Sequence, residues 1–256
     1  MGVQTVLKVS STEVQNNFGK YLLLANEQDI IVTRNGQEVA CLSGLKAQKG
    51  KSSMASEGAL AKGYGLGKAS YEEFLELTKD STERYELIDG EVFLQASPKA
   101  DHQLALMALA GTFFNYFDGQ NCVPMSAPFD ITIRRSSEDV NVVQPDLMII
   151  CDLPEKLGED GYYYGVPTLI VEILSEGTRR NDLLKKLNLY MTGGVREYWV
   201  VDPKNKQLSI YTFEDQDLQE HLVFKAPEKA CSVTFPDLVI DLKRVFRTIP
   251  VTRSRA

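Results

Sequence analysis

Two stretches decide the fold: Val142-Val143-Gln144-Pro145-Asp146-Leu147-Met148-Ile149-Ile150 and Pro167-Thr168-Leu169-Ile170-Val171-Glu172-Ile173-Leu174. Each reads as one apolar strand, rich in Ile, Leu and Val, interrupted by a single acid. A carboxylate in such a run loses hydration, so it must be protonated, paired or bound to a cation. Two of them on neighbouring strands make a hard-oxygen site suited to a divalent metal. Lys186 follows on the next predicted helix, over residues 178–192, close enough in sequence to reach the same end of the sheet. This is the layout expected of a metal-dependent phosphodiesterase.

Within that helix Asp182, Lys186 and Tyr190 are spaced i, i+4, i+8 and share a face, while Leu183, Leu184, Leu187 and Met191 form the stripe expected to be buried. Lys186 is placed to neutralise a pentacovalent phosphorus or to position a water. Asp146 and Glu172 are the expected ligands of Mg²⁺ or Mn²⁺, with the carbonyl of Ile173 as an extra ligand. Glu86 interrupts the apolar positions of a hairpin, Arg84–Ile88 and Glu91–Leu94 about Asp89-Gly90, and is a candidate for a second ion or a metal-bound water. His102, on an apolar helix over 100–117, is a supporting candidate. Blander readings stand beside these. An acid after proline is often only a cap, an Asp182–Lys186 spacing is a common surface pair, and a helical histidine often only packs. Tyr162-Tyr163-Tyr164 is either a base-stacking loop or ordinary loop packing.

The chain of 256 residues has room for one large domain or a domain plus a small module. No apolar run approaches the ~20 residues of a membrane span, and the N-terminus has no signal-peptide pattern. Cys41, Cys122, Cys151 and Cys231 are scattered, and His102 and His221 are the only histidines, which argues against zinc and for reduced thiols. A cytoplasmic protein is expected. The net charge of −7 disfavours indiscriminate nucleic-acid binding. It is uneven: residues 1–69 hold 8 Lys+Arg and 5 Asp+Glu (+3), leaving 20 and 30 (−10) for the remainder. Bound cations would supply the positive charge that a DNA-cleaving site needs.

Three regions follow. Residues 1–48 read as a small αβ module: a strand over Thr5–Val9, a helix-start signal at Ser10-Ser11-Thr12-Glu13, and a helix through Val14, Phe18, Tyr21, Leu22 and Ala25. Asn35-Gly36 between two apolar runs then signals a hairpin. A segment this short should dimerise or dock. Residues 49–69, rich in Gly, Lys, Ser and Ala, read as flexible linker, and their glycines lack the spacing of a phosphate or dinucleotide loop. Residues 70–250 form the main domain.

Tyr85-Glu86-Leu87-Ile88-Asp89-Gly90-Glu91, Pro145-Asp146-Leu147, Val171-Glu172-Ile173-Leu174-Ser175, Thr178-Arg179-Arg180-Asn181-Asp182 with Lys186 and Tyr190, and Gly194-Val195-Arg196-Glu197-Tyr198-Trp199-Val200-Val201-Asp202 resemble the Uma-type putative restriction endonuclease family, within the PD-(D/E)XK nuclease superfamily. The resemblance spans residues 70–248. It implies an α/β (α+β) fold: a restriction-endonuclease-like mixed sheet flanked by helices, hydrolysing DNA phosphodiesters with magnesium. Asp146 and Glu172 would be the two motif acids. Leu174 stands where the superfamily usually has lysine, and Lys186 is where this family places it. Ser175-Glu176-Gly177 also departs from the usual Ser-Pro-Ser. Residues 5–46 resemble Phd/YefM-type antitoxins, which implies a homodimerising module that binds DNA through residues such as Lys8 and Arg34. Two alternatives to an endonuclease remain: a catalytically silent DNA-binding regulator, and a toxin–antitoxin component restrained by its first module or by a partner.

Overall fold

The computed structural model describes residues 7–16, 21, 25, 29–34, 36–42, 65–159, 161–175 and 182–247, and divides the chain into units Met1–Ser56 and Glu57–Ala256. In the first unit β1 (Leu7–Ser10) leads into α1 (Ser11–Asn16), followed by β2 (Ile30–Arg34) and β3 (Gln37–Leu42). Ser10 Oγ accepts from the Glu13 amide at 3.1 Å, so the helix starts at the expected cap. β1 pairs parallel with β2, and β2 antiparallel with β3, with Arg34 opposite Gln37 across the Asn-Gly turn. Val9, Val14, Tyr21, Ala25, Ile30 and Val32 form its core. Phe18 and Leu22, and residues 49–64 of the expected linker, lie outside the described residues.

The second unit begins with β4 (Gly65–Lys68), α2 (Tyr71–Thr78), β5 (Tyr85–Ile88), β6 (Glu91–Leu94) and α3 (Ala100–Phe117). It continues through β7 (Val123–Ser126), β8 (Ile131–Arg134), β9 (Val140–Val143), β10 (Leu147–Ile150), α4 (Leu153–Lys156) and β11 (Leu169–Ile173). A π-helical turn (Asp182–Lys186) runs into α5 (Leu187–Thr192), then β12 (Glu197–Asp202), β13 (Gln207–Glu214) and β14 (Asp217–Lys225). β15 (Lys229–Cys231), β16 (Val239–Asp241) and α6 (Leu242–Val245) close the unit.

A six-stranded sheet, β14-β13-β12-β11-β10-β7, is mixed: β11 and β12 run parallel and its other pairs antiparallel. A five-stranded antiparallel sheet, β4-β6-β5-β9-β8, lies beside it in the chain's path. The mixed α+β architecture matches the expectation. α3 packs on one face of the larger sheet, placing Ala105, Leu109, Phe113 and Phe117 against Leu147, Ile149, Val171 and Trp199. The Phe113 and Trp199 rings meet edge to face at 5.4 Å. β5 turns Leu87 toward Phe74, Val92 and Val142; alternation therefore sends Glu86 to the opposite side. The β5–β6 turn uses Asp89 and Gly90, both at positive φ (51° and 69°), the geometry of a two-residue hairpin.

The structure corrects several expectations. Val142–Ile150 is not one strand. Pro145 lacks an N–H and cannot donate to a strand ladder, so pairing breaks at Gln144-Pro145-Asp146 and the chain passes from one sheet to the other. The linker expected over 49–69 ends early, because Gly65–Lys68 pairs with β6 despite its glycines. Leu184 is 41% exposed, unlike the buried Leu187 and Met191, because the π-helical turn shifts the face that a regular helix would bury. Cys122 and Cys151 are not separate thiols but a disulfide across 29 residues of sequence. The β7–β10 register sets Val123 opposite Ile150, which brings the two flanking cysteines together.

Candidate active site

Leu147 lies opposite Val171 across β10 and β11, so Asp146, one residue earlier, falls level with Glu172. Asp146 follows the proline break at the mouth of the sheet, and its Oδ2 accepts from the Ile173 amide at 2.7 Å. Glu172 is buried, 4% exposed, within β11. Its Oε1 accepts from Lys186 Nζ at 2.8 Å and from the Tyr190 hydroxyl at 2.7 Å. Lys186 is no surface residue: it is 2% exposed and also donates to Glu86 Oε1 at 2.9 Å. That Glu86 oxygen takes the Gln144 amide as well, at 2.9 Å.

α5 can carry these groups because it packs tightly at its far end. A Cβ on Gly193 would stand 2.5 Å from Ile133 Cγ2 and 2.7 Å from the Leu189 carbonyl, so only glycine lets the helix end approach β8 this closely. Leu187, Leu189, Tyr190 and Met191 are buried, and the Tyr190 ring meets Tyr198 at 4.9 Å. The helix is thereby fixed with Lys186 turned inward.

His102, near the start of α3, is also brought to the site. Its Nε2 lies 3.2 Å from Asp146 Oδ2, an ion pair when the ring is protonated. Its Nδ1 is buried and has no hydrogen-bond partner among the described residues, as does Gln144 Oε1. His102, Gln144, Asp146, Glu172, Ile173 and Lys186 line one cleft of about 370 Å³. Thus Asp146, Glu172, Lys186, Glu86, Tyr190 and His102 converge. The side chain of Asp182 lies outside the described residues. Lys8 and Arg34 belong to the other unit, where Lys8 is paired with Glu38 at 2.7 Å.

Sequence reasoning missed Gln144 and Arg84, which also line the cleft. Gln144 could have been found from its place just before Pro145-Asp146. Arg84 carried no distinguishing pattern. The tyrosine triplet divides: Tyr163 is buried and donates to Asp152 at 2.6 Å, while Tyr162 and Tyr164 are exposed. Burial first, and Asp152 beside it, push the Tyr163 hydroxyl well above its ordinary value.

The donor set suits a hard divalent cation. Asp146, Glu172 and Ile173 line the same cleft and offer only carboxylate and carbonyl oxygens. Among the described residues no group of three or more His, Cys, Asp or Glu stands together as a metal cluster. An ion there would therefore complete its shell with water or substrate oxygens, as Mg²⁺ commonly does.

A family match, described as Uma2, "Putative restriction endonuclease", covers residues 71–243. The chain belongs to this Uma2 family. It is 26% identical over 149 residues to the uncharacterized protein slr1290 of Synechocystis, a stretch covering 58% of this chain and 76% of that protein. The chain also resembles the crystal structure of a "putative nuclease belonging to DUF820" from Anabaena variabilis. The TM-score is 0.57 at 18% identity, covering 70% of this chain and 97% of that one, a likeness of fold.

Proposed function

We propose that this Uma2 protein is a divalent-metal-dependent DNA endonuclease that hydrolyses phosphodiester bonds, fused to a small dimerising module. The observation that carries the proposal is the meeting of Asp146, Glu172 and Lys186, from three separate elements, in one cleft. The family description and the nuclease fold support the same reaction class.

In this reading Asp146, Glu172 and the Ile173 carbonyl hold Mg²⁺ or Mn²⁺. When bound, the ion polarises the phosphate and makes a coordinated water more acidic. Lys186 places positive charge where negative charge builds on the phosphoryl oxygens. Glu86 and Tyr190 act through their neighbours: Glu86 fixes the ammonium, and Tyr190 fixes the Glu172 carboxylate that contacts it. His102 and the Ile173 amide meet Asp146 at Oδ2 and fix the orientation of the carboxylate that would hold the cation.

For the first unit, β3 is exposed along its length, and Val39 is 56% exposed on it. An open edge of this kind supports pairing with a second copy, and Lys8 on β1 and Arg34 on β2 are the basic residues the module would offer to DNA. Light scattering of the full chain tests the dimer: a mass of twice 28.6 kDa is expected, and a monomer at all concentrations removes this part.

The catalytic reading is tested by incubating supercoiled plasmid with the full chain and Mg²⁺ or Mn²⁺, beside Asp146→Ala and Glu172→Ala. Cleavage by the wild type alone is expected. Intact DNA bound but never cut would instead assign the protein as a silent regulator.

A further inference from the structure

Arg84 stands at the wall between two depressions of the second unit. One is the acid-lined cleft; the other is an adjoining groove of about 760 Å³, and Arg84 and Gln144 line both. Arg84 is half-buried, yet among the described residues its guanidinium has no hydrogen-bond or ion-pair partner. Other cations of this unit are differently placed, since Lys186 serves Glu86 and Glu172, and Arg135 serves Asp89 and Asp139. A partly desolvated fork of five N–H donors without acceptors fits a ligand that brings them. Phosphate oxygens match that planar fork. Gln144 Oε1, buried on the same wall and without a hydrogen-bond partner among the described residues, is a second polar atom free to meet a ligand group.

The groove beyond has a different character. Tyr162 and Tyr164, 57% and 55% exposed, line it together with Tyr71 and Tyr85. So do the acids Glu72, Glu76, Glu83 and Asp130, against the cations Lys79 and Arg84. Such a surface repels a run of phosphates but accepts an uncharged ring, and nucleobases stack on aromatic side chains with little regard to sequence.

We propose that Arg84 grips the phosphate next to the one that is cut, and that the tyrosine groove receives the unpaired base of that nucleotide. The proposal rests on the nuclease reading and adds a substrate class: a strand that is single, or splayed open, beside the cleaved bond. A base held in a duplex cannot enter a groove whose walls are side-chain rings.

The test measures binding of the full chain to a short labelled single-stranded oligonucleotide and its duplex. Ca²⁺ replaces Mg²⁺ so that affinity is read without cleavage. Arg84→Gln should weaken single-strand binding about tenfold or more. It should also reduce the slope of log affinity against log salt by about 0.7. Arg84→Lys should recover part of the loss. Tyr162→Ala with Tyr164→Ala should weaken the single strand by about fivefold or more while leaving the salt slope unchanged. The thermal melt of Arg84→Gln should match the wild type, since among the described residues the guanidinium has no hydrogen-bond or ion-pair partner to lose. Wild-type affinity in Arg84→Gln, equal affinity for duplex and single strand, or no binding by the wild type would each overturn the proposal. If Arg84→Gln loses binding while the wild type never cleaves with Mg²⁺, the subsite stands and the hydrolytic reading falls.

Discussion

Lys186 Nζ lies 2.8 Å from Glu172 Oε1, a buried ion pair whose partners are 14 residues apart and come from a π-helical turn and a central strand. Through the same ammonium, β5 of the smaller sheet is joined to β11 of the larger one. Burying three charges is expensive, and the arrangement is tolerated only because each is hydrogen-bonded. Lys186→Met should therefore abolish cleavage and cost about 3–5 kcal/mol, because two carboxylates are left uncompensated. Replacing Glu86, Glu172 and Lys186 together with apolar residues should recover much of that stability and no activity. Urea unfolding beside a cleavage assay reads both; a single variant as stable as the wild type would refute the ion-pair account.

Tyr190→Phe isolates a second donor to Glu172. The ring still packs on Tyr198, and only the hydroxyl, 2.7 Å from Oε1, is removed. A hydrogen bond to a charged group is worth about 1.5–3 kcal/mol, and a loss in that range is expected by urea unfolding. Cleavage should fall less than in Lys186→Met, since Lys186 still holds the carboxylate. An equal loss of activity would mean that Tyr190 touches the reacting atoms.

The three converging groups were legible because each breaks a local rule. An acid inside Leu169–Ile173 has no reason to be there unless something meets it, and Lys186 does. The same logic has a limit, visible at Glu197. It is buried just as deeply in β12, but accepts from Trp199, Ser232, Val233 and Thr234 and meets no cation among the described residues, so it pins a loop. Both acids read alike in sequence; only their partners, distant along the chain, tell them apart. His102 was legible as a candidate but not its contact with Asp146, which depends on how α3 crosses the sheet. The break at Pro145 was visible as a residue, yet a continuous apolar run hid that its two halves serve different sheets. Cys122 and Cys151 were hidden for the same reason, because strand register is set by pairing rather than by spacing.

Acid should loosen a clasp on the sheet that carries Glu86. Arg135 donates to Asp139 at 2.8 Å and to Asp89 at 2.5 Å, tying the β8–β9 and β5–β6 turns together. The Arg135 hydrogen bonds hold the Asp139 carboxyl below its ordinary value of 3.8, against some opposing desolvation. A depressed carboxyl contributes stability that is present above its unfolded value and lost as pH falls through the folded one. Asp139 is 37% exposed, so the effect is limited to about 1 kcal/mol or less. Asp139→Asn should be less stable than the wild type near pH 7, and the gap should close below about pH 4. A gap that persists unchanged in acid would count against this clasp.

The Cys122–Cys151 bond ties the strand at the edge of the larger sheet to β10, the strand that Asp146 leads into. A crosslink closing a 29-residue loop restricts the unfolded chain and is worth about 3–4 kcal/mol on loop-entropy grounds. Cys122→Ser with Cys151→Ser should lower stability by about that amount at neutral pH. Reductant should do the same to the wild type and nothing to the double variant. β7 would still pair with β10 through Val123–Ser126, so the fold should persist and cleavage survive at temperatures well below the new midpoint. Thermal melts with and without reductant, alongside cleavage measured at low temperature, check both halves. Activity lost before the melt would show that the bond positions Asp146 rather than only stabilising the sheet.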